Sequence, residues 1–234
     1  MIDPKTGAST GSLADLLNRH INPRSFENQF MEGYNTSLLA TRERQPYPTD
    51  YTRPSSLGKC KRNIFFERTH APKDPVDLKN VWTYNQCGIL ESGTDRHERI
   101  QNVLFKMEEL GFIKNIDITE ARCVNKDFNL YFQADGLVEM NGIRAIFEIK
   151  TTSCKKIAGI RKSKAPLRPH ILQATAYALC LGVDYILFFY EDRDFTSHYP
   201  ILYKVSDTVK QEVIDKLADI DRCIEEGVIP EPNK

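Results

Sequence analysis

Apolar positions recur along this chain with two different periods. From about residue 86 to 110, Ile89, Leu90, Ile100, Val103, Leu104, Met107 and Leu110 lie at helical spacing, and Gly111 stands where a C′ stop belongs. A strand is predicted around residues 116–124, and beyond Leu130 the period falls to two. Leu130, Phe132, Ala134, Val138 and Met140 alternate on one segment, and Ile143, Ala145, Phe147 and Ile149 on the next. Asn141-Gly142 separates them, a dipeptide that accepts positive φ at both positions and so predicts a two-residue type I′ hairpin. A helix follows from about His170 to Leu181, with Gly182 after it. Tyr185 to Tyr190 is the unbroken apolar run of a buried strand, Tyr199 to Val205 alternates as another, and Asp207 to Glu226 closes the chain as an amphipathic helix capped by Ser206 or Asp207. This order predicts an α/β or α+β core, a central mixed sheet flanked by helices.

Residues 1–54 read as an N-terminal extension and residues 55–234 as the domain proper. Asp3-Pro4-Lys5-Thr6-Gly7 and Gln45-Pro46-Tyr47-Pro48-Thr49 are loop-like, with a short helix starting at Leu13 to Leu17 between them. Ser55-Ser56-Leu57-Gly58 leads into a helix at Cys60 to Glu67 that has a basic shoulder, and Pro72 to Pro75 breaks it. Lys155, Lys156, Arg161, Lys162, Lys164 and Arg168, ending at Pro169, read as a basic loop.

The hairpin register has a chemical consequence. If Asn141-Gly142 is the turn, Met140 pairs with Ile143, and Asp135 falls opposite Glu148 with Cβ atoms about 4.5–5.5 Å apart. Lys150 then shares their face, opposite Gln133. With the other face forming the core, this polar face is either an ordinary solvated surface or a catalytic floor. Two carboxylates side by side repel unless a cation lies between them. Magnesium, which takes one or two carboxylates plus waters and phosphate oxygens, suits the pair; Lys150 alone is the simpler neutraliser.

Composition narrows the classes. Hydrophobic residues make up 41% and charged residues 27%, ordinary for a soluble globular protein. With 32 basic and 32 acidic side chains the formal net charge is +0, so any attraction to nucleic acid is local. The six cysteines include no C-x-x-C pair and no secretory leader is recognisable, which points to free thiols in a reducing cytoplasm. No apolar run approaches the ~20 residues of a membrane span.

Asp135 followed by Glu148-x-Lys150 resembles the signature of the PD-(D/E)XK nuclease superfamily. Gly93-x-x-x-His97-Glu98 on the preceding helix and Gln173-x-x-x-Tyr177 on the following one are similar to the RecB-like and Cas4-like exonuclease branch, over about residues 55–190. The resemblance implies a restriction-endonuclease-like core and a metal-dependent deoxyribonuclease. It assigns Asp135, Glu148, the carbonyl of Ile149 and the imidazole of His97 to a Mg2+ or Mn2+ ion, and Lys150 to the attacking water. Gln173 and Tyr177 would hold the DNA strand, with phosphates passing along Lys155, Lys156, Arg161, Lys162, Lys164 and Arg168. Many relatives carry an iron–sulfur cluster, but only Cys60 matches its first ligand. Cys223 alone follows Cys180, so no cluster is expected.

DNA, single-stranded or as duplex ends, is the implied partner, with a helicase or recombination protein beside it, in a bacterial or phage-infected cell. No G-x-x-x-x-G-K-[ST] loop occurs, so the chain is not itself a helicase. The alternatives are a structure- or site-specific endonuclease of the same superfamily, or an inactive module that docks on nucleic acid or on a partner. Taken singly, each residue also has a plainer reading. A histidine on a partly apolar helix is ordinarily structural, Gln173 and Tyr177 can pack on the sheet, and a basic run is usually solvated. Tyr131, Phe195 and Tyr199 have faces on which bases can stack, although burial is the usual fate of aromatics.

Overall fold

A computed structural model describes residues 23–40, 50–71, 84–117 and 123–232. The chain divides into two compact units, residues 1–45 with 75–91 and residues 46–74 with 92–234. In the first, helix α1 (Pro23–Ala40) occupies a stretch that the sequence pattern did not single out, with Phe30, Met31 and Tyr34 exposed. The short helix expected at Leu13 and the loops at 3–7 and 45–49 lie outside the described residues.

The second unit opens with a 3-10 turn (Pro54–Ser56) and helix α2 (Lys61–Arg68), whose Ile64 and Phe65 are buried. Helix α3 (Tyr84–Glu109) belongs to this unit from Ser92 onward and ends before Gly111, whose φ is +76°. The remaining elements are β1 (Lys114–Asp117), β2 (Cys123–Asn125), β3 (Leu130–Phe132), β4 (Gly136–Met140), β5 (Ile143–Thr152), α4 (Cys154–Ser163), α5 (Arg168–Leu181), β6 (Tyr185–Asp192), β7 (His198–Lys204) and α6 (Asp207–Glu225). The Ser206 hydroxyl caps α6 by accepting from Val209 N at 3.3 Å.

The expected central mixed sheet is present, in the order β1-β4-β5-β6-β7. Strands β4 and β5 form the predicted hairpin, Met140 opposite Ile143, with Asn141 at φ +53° and Gly142 at +75°. Strands β5 and β6 run parallel, joined by the crossover through α4 and α5, and β7 returns antiparallel as an edge strand with Pro200 opposite Phe189. Strands β2 and β3 form a separate pair.

Three expectations need correction. The run from Leu130 to Met140 is two strands, because the chain bends at Asp135 after β3 has paired with β2. Leu130 and Phe132 therefore enter a different core from Val138, and the β4–β5 ladder stops at Gly136 opposite Phe147 without reaching Gln133. Met140, at the hairpin tip, is 48% exposed.

The hairpin is also buried on both faces. Val138, Phe147 and Ile149 pack on Ile100 and Leu104 of α3, while Leu137 and Ile146 join Ile171, Leu172 and Leu217 of α5 and α6. A central strand flanked by a parallel neighbour has helices over both sides, so the floor holding Glu148 is interior. The basic stretch after β5, finally, is mostly helix: Ile157 and Ile160, one turn apart, bury one side of α4 beneath its lysines. Among the described residues no helix is long and apolar enough to cross a membrane.

Candidate functional site

The site lies at the carboxyl end of the parallel β5–β6 pair, where open α/β sheets present ligand-binding crevices. Asp135 occupies the bend before β4. There its Oδ2 accepts from Ile149 N at 2.7 Å, its Oδ1 lies 3.0 Å from His97 Nδ1, and its backbone oxygen accepts from Gln101 Nε2 at 2.9 Å. His97 and Gln101 are one turn apart on α3, so that helix grips Asp135 through both side chain and backbone.

Glu148, the residue before Ile149 on β5, is 2% exposed and feels the charges of both Asp135 and His97. Lys150 Nζ lies 2.6 Å from Glu148 Oε1 and donates to Gln173 Oε1 at 3.1 Å. Gln173 Nε2 in turn donates to the Tyr177 hydroxyl at 2.8 Å, and the Tyr177 ring rests near Phe132 with centroids 5.3 Å apart. The structure thus brings His97, Asp135, Glu148, Lys150, Gln173 and Tyr177 together at one end of the sheet.

The electrostatics follow from burial. Loss of water pushes the Glu148 carboxyl well above the usual carboxylate range; Lys150 opposes the shift and the Asp135 charge adds to it. Burial works against a charged His97, yet the hydrogen bond and charge of Asp135, with Glu148 behind it, carry its pKa upward. Burial, followed by the Glu148 charge, also holds the Tyr177 phenol protonated far above its ordinary value.

Among the described residues, no three His, Cys, Asp or Glu side chains are grouped as ligands of one ion. His97 Nδ1 is turned to Asp135 and Glu148 to Lys150, so the donors stand as a pair of carboxylates. A hard divalent cation completed by waters and phosphate oxygens needs no more than two carboxylates, and Asp135 with the desolvated Glu148 has the chemistry to hold magnesium or manganese.

The basic residues disperse. Lys155, Lys156, Arg161 and Lys162 are exposed along α4, and Lys164 follows in the left-handed region at φ +52°. Arg168, at the start of α5, is ion-paired with Glu212 of α6. The charge of Lys156, like that of Lys150, acts on His170 near the start of α5. Arg161 turns toward β7, its guanidinium 5.5 Å from the Tyr199 ring centre. Tyr131 is buried; Phe195 is 75% exposed.

Two features were not read from the sequence. His170 Nδ1 lies 3.0 Å from the Tyr190 hydroxyl, which also accepts from Leu167 N, and burial together with Lys150 and Lys156 depresses His170 to about 4. Glu191, fully buried, gathers Arg96 Nη1 at 2.7 Å, Arg99, and His198 Nε2 at 2.9 Å. Burial would raise its pKa, but the bonds from Arg99, His198 and Arg96 hold its carboxyl below the ordinary range. The sequence signal was an acid closing the apolar run Tyr185 to Tyr190, together with two arginines flanking His97.

No family model matches this chain, and no curated protein does. Solved structures do. The crystal structure of SSO0001 is similar over 84% of this chain and 87% of its own, with TM-score 0.51 and 18% identity. LHK-Exo, an alkaline exonuclease from Laribacter hongkongensis, is similar over 82% of this chain and 93% of its own, with TM-score 0.53 and 15% identity. The same exonuclease in complex with dAMP gives TM-score 0.51 at 14% identity, covering 76% and 90%. At these identities the likeness is one of fold.

Proposed function

We propose that the protein is a PD-(D/E)XK-type deoxyribonuclease of the RecB-like and Cas4-like kind. In this reading it uses magnesium or manganese to hydrolyse phosphodiester bonds and works from strand ends. The observation that carries the proposal is the buried Glu148 carboxylate, set beside Asp135 with the Lys150 ammonium 2.6 Å away. A surface pair would have no reason to be desolvated, and a purely structural ion pair would not need a second carboxylate raising the proton affinity of the first. The shared fold with an alkaline exonuclease, one solved with dAMP, supports DNA as substrate and an end-directed mode.

Asp135 and Glu148, with the Ile149 carbonyl, would hold the cation. Bound there, it supplies positive charge for the phosphate and acidifies a water. His97 fixes Asp135 through the Nδ1 contact, and its other ring nitrogen would be the one to reach the cation. Lys150 has three protons to donate; Glu148 and Gln173 engage two, which leaves one to orient the attacking water or bind a phosphate oxygen. Tyr177 fixes the Gln173 amide and, through it, the ammonium. The α4 lysines, Lys156 first, line the approach of the phosphates.

End-labelled linear DNA and circular single-stranded DNA, incubated with magnesium, manganese or chelator, test this reading. The wild type is expected to degrade linear DNA only with metal and to leave circles intact, and Glu148→Gln to degrade neither. Magnesium-dependent cleavage by Glu148→Gln would refute the site, and cut circles would refute the end-directed mode.

A further inference from the structure

The turn between β6 and β7 carries Phe195, whose 75% exposure is the greatest of any large hydrophobic side chain among the described residues. The turn itself is rigidly built. Asp192 N donates to Ser197 O and Thr196 N to Asp192 O, both at 2.9 Å, and Asp194 N donates to Asp192 Oδ1 at 2.8 Å. It is also fastened to the candidate site: Arg193 N donates to Thr152 O at 2.9 Å, and Cys154 N donates to Asp194 Oδ2 at 3.1 Å. Thr152 is two residues beyond Lys150 on β5, about 7 Å along the strand. An aromatic ring is therefore held in water on a turn fastened to the end of the strand that carries Glu148 and Lys150.

Its surroundings hold cations and a second aromatic ring, while the neighbouring carboxylates of Asp192 and Asp194 are taken up by backbone N–H groups of Asp194 and Cys154. Arg161 donates to Ser197 Oγ at 3.5 Å and to His198 O at 3.4 Å while lying over Tyr199; Arg193 is exposed in the turn itself, and Lys155 and Lys156, also exposed, follow Cys154, whose N–H is bonded to Asp194. Cations for a phosphate backbone beside a free aromatic face make up the surface that single-stranded nucleic acid recognises. In the interior of a duplex the bases already stack on one another, and only the pair at each end offers such a ring a face.

We propose that Phe195 is a base-stacking residue that binds single-stranded DNA where the strand passes the carboxyl end of β5, with Arg161 and Arg193 taking the adjoining phosphates. This rests on the nuclease reading for the meaning of the site and names the form of substrate it accepts. The preference for single strands then follows from the turn.

Fluorescein-labelled single-stranded and duplex oligonucleotides, titrated in chelator so that no cleavage is needed, test the proposal by anisotropy. Phe195→Ala is expected to weaken single-strand binding about five- to a hundred-fold, the range for losing one base–aromatic stack, and to leave duplex binding and the melting temperature unchanged. Phe195→Trp should restore affinity and show indole quenching on binding, read as a difference from the wild type, which already carries Trp82. Phe195→Leu, apolar without a π face, should not restore it.

Unchanged binding by Phe195→Ala, full rescue by leucine, an equal loss for duplex, or a wild type that binds no single strand would each overturn the proposal. A wild type that shows the stacking pattern but no metal-dependent cleavage would sink the nuclease reading and leave the stacking site standing.

Discussion

Alanine at Gly58 should loosen the helix that carries Gln173 and Tyr177. A Cβ at that position would stand 2.7 Å from Pro169 Cβ and 3.2 Å from its Cα, whereas carbon atoms pack comfortably at about 3.5–4.0 Å. Neither side can retreat easily. Leu57, beside Gly58, is fully buried, and Lys216 Nζ holds the carbonyls of Leu57 and Lys59 at 2.6 and 2.8 Å. Pro169 is the second residue of α5, whose first turn is closed by His170 N and Ile171 N on Leu167 O.

Forcing a methyl group into such a contact costs about 1–3 kcal/mol. For a chain of this size that lowers the melting temperature by about 2–4 °C per kcal/mol. Displacement of α5 also reaches Gln173, one turn on, and through it Lys150. Thermal melts of Gly58→Ala, Pro169→Gly and the double variant measure the contact. Pro169→Gly removes the offending Cβ, so the pair should be less destabilising than the sum by about 0.5–3 kcal/mol. A wild-type melting temperature for Gly58→Ala, or strict additivity in the cycle, would refute the reasoning.

Two further outcomes are expected. His170, depressed to about 4 by burial and then by Lys150 and Lys156, stays neutral in the folded protein while its unfolded counterpart protonates near its usual ~6.5. The unfolded state then binds the extra proton, so stability is full above about pH 6.5 and is lost as pH falls toward 4; His170→Gln should flatten the fall of melting temperature across that window. Tyr177→Phe removes the acceptor of Gln173 Nε2 and about 1 kcal/mol of hydrogen bonding. Its kcat on linear DNA should fall about five- to ten-fold with KM little changed, and a loss confined to KM would instead place Tyr177 in strand binding.

Much of this was legible because local chemistry decided it. Asn141-Gly142 set one register, and the register brought Asp135 to the end of β5 near Glu148. Gly111 and Gly182, both with positive φ, ended their helices where the apolar periods stopped. What was missed depended on distant partners. The bend at Asp135 arises because β3 pairs with β2 and the aspartate is claimed by α3, neither visible from alternation alone. Helix α4 was hidden because Ile157 and Ile160 are its buried pair amid many charges. Burial of the Glu148 face came from β6 lying alongside in parallel, which no count within the hairpin reveals.

Pro200, midway along β7, has a last consequence. As the edge strand among the described residues, β7 has half of its backbone groups without a neighbour in that sheet, and such a row invites another chain to zip onto it. Proline has no N–H to offer an incoming strand, and its ring occupies the space that strand would need. Lys204 at the end of β7 adds a charge that an intruder would have to desolvate. The same margin that carries the aromatic turn is thereby guarded against fibre-like self-association, and replacing Pro200 with valine would remove that guard.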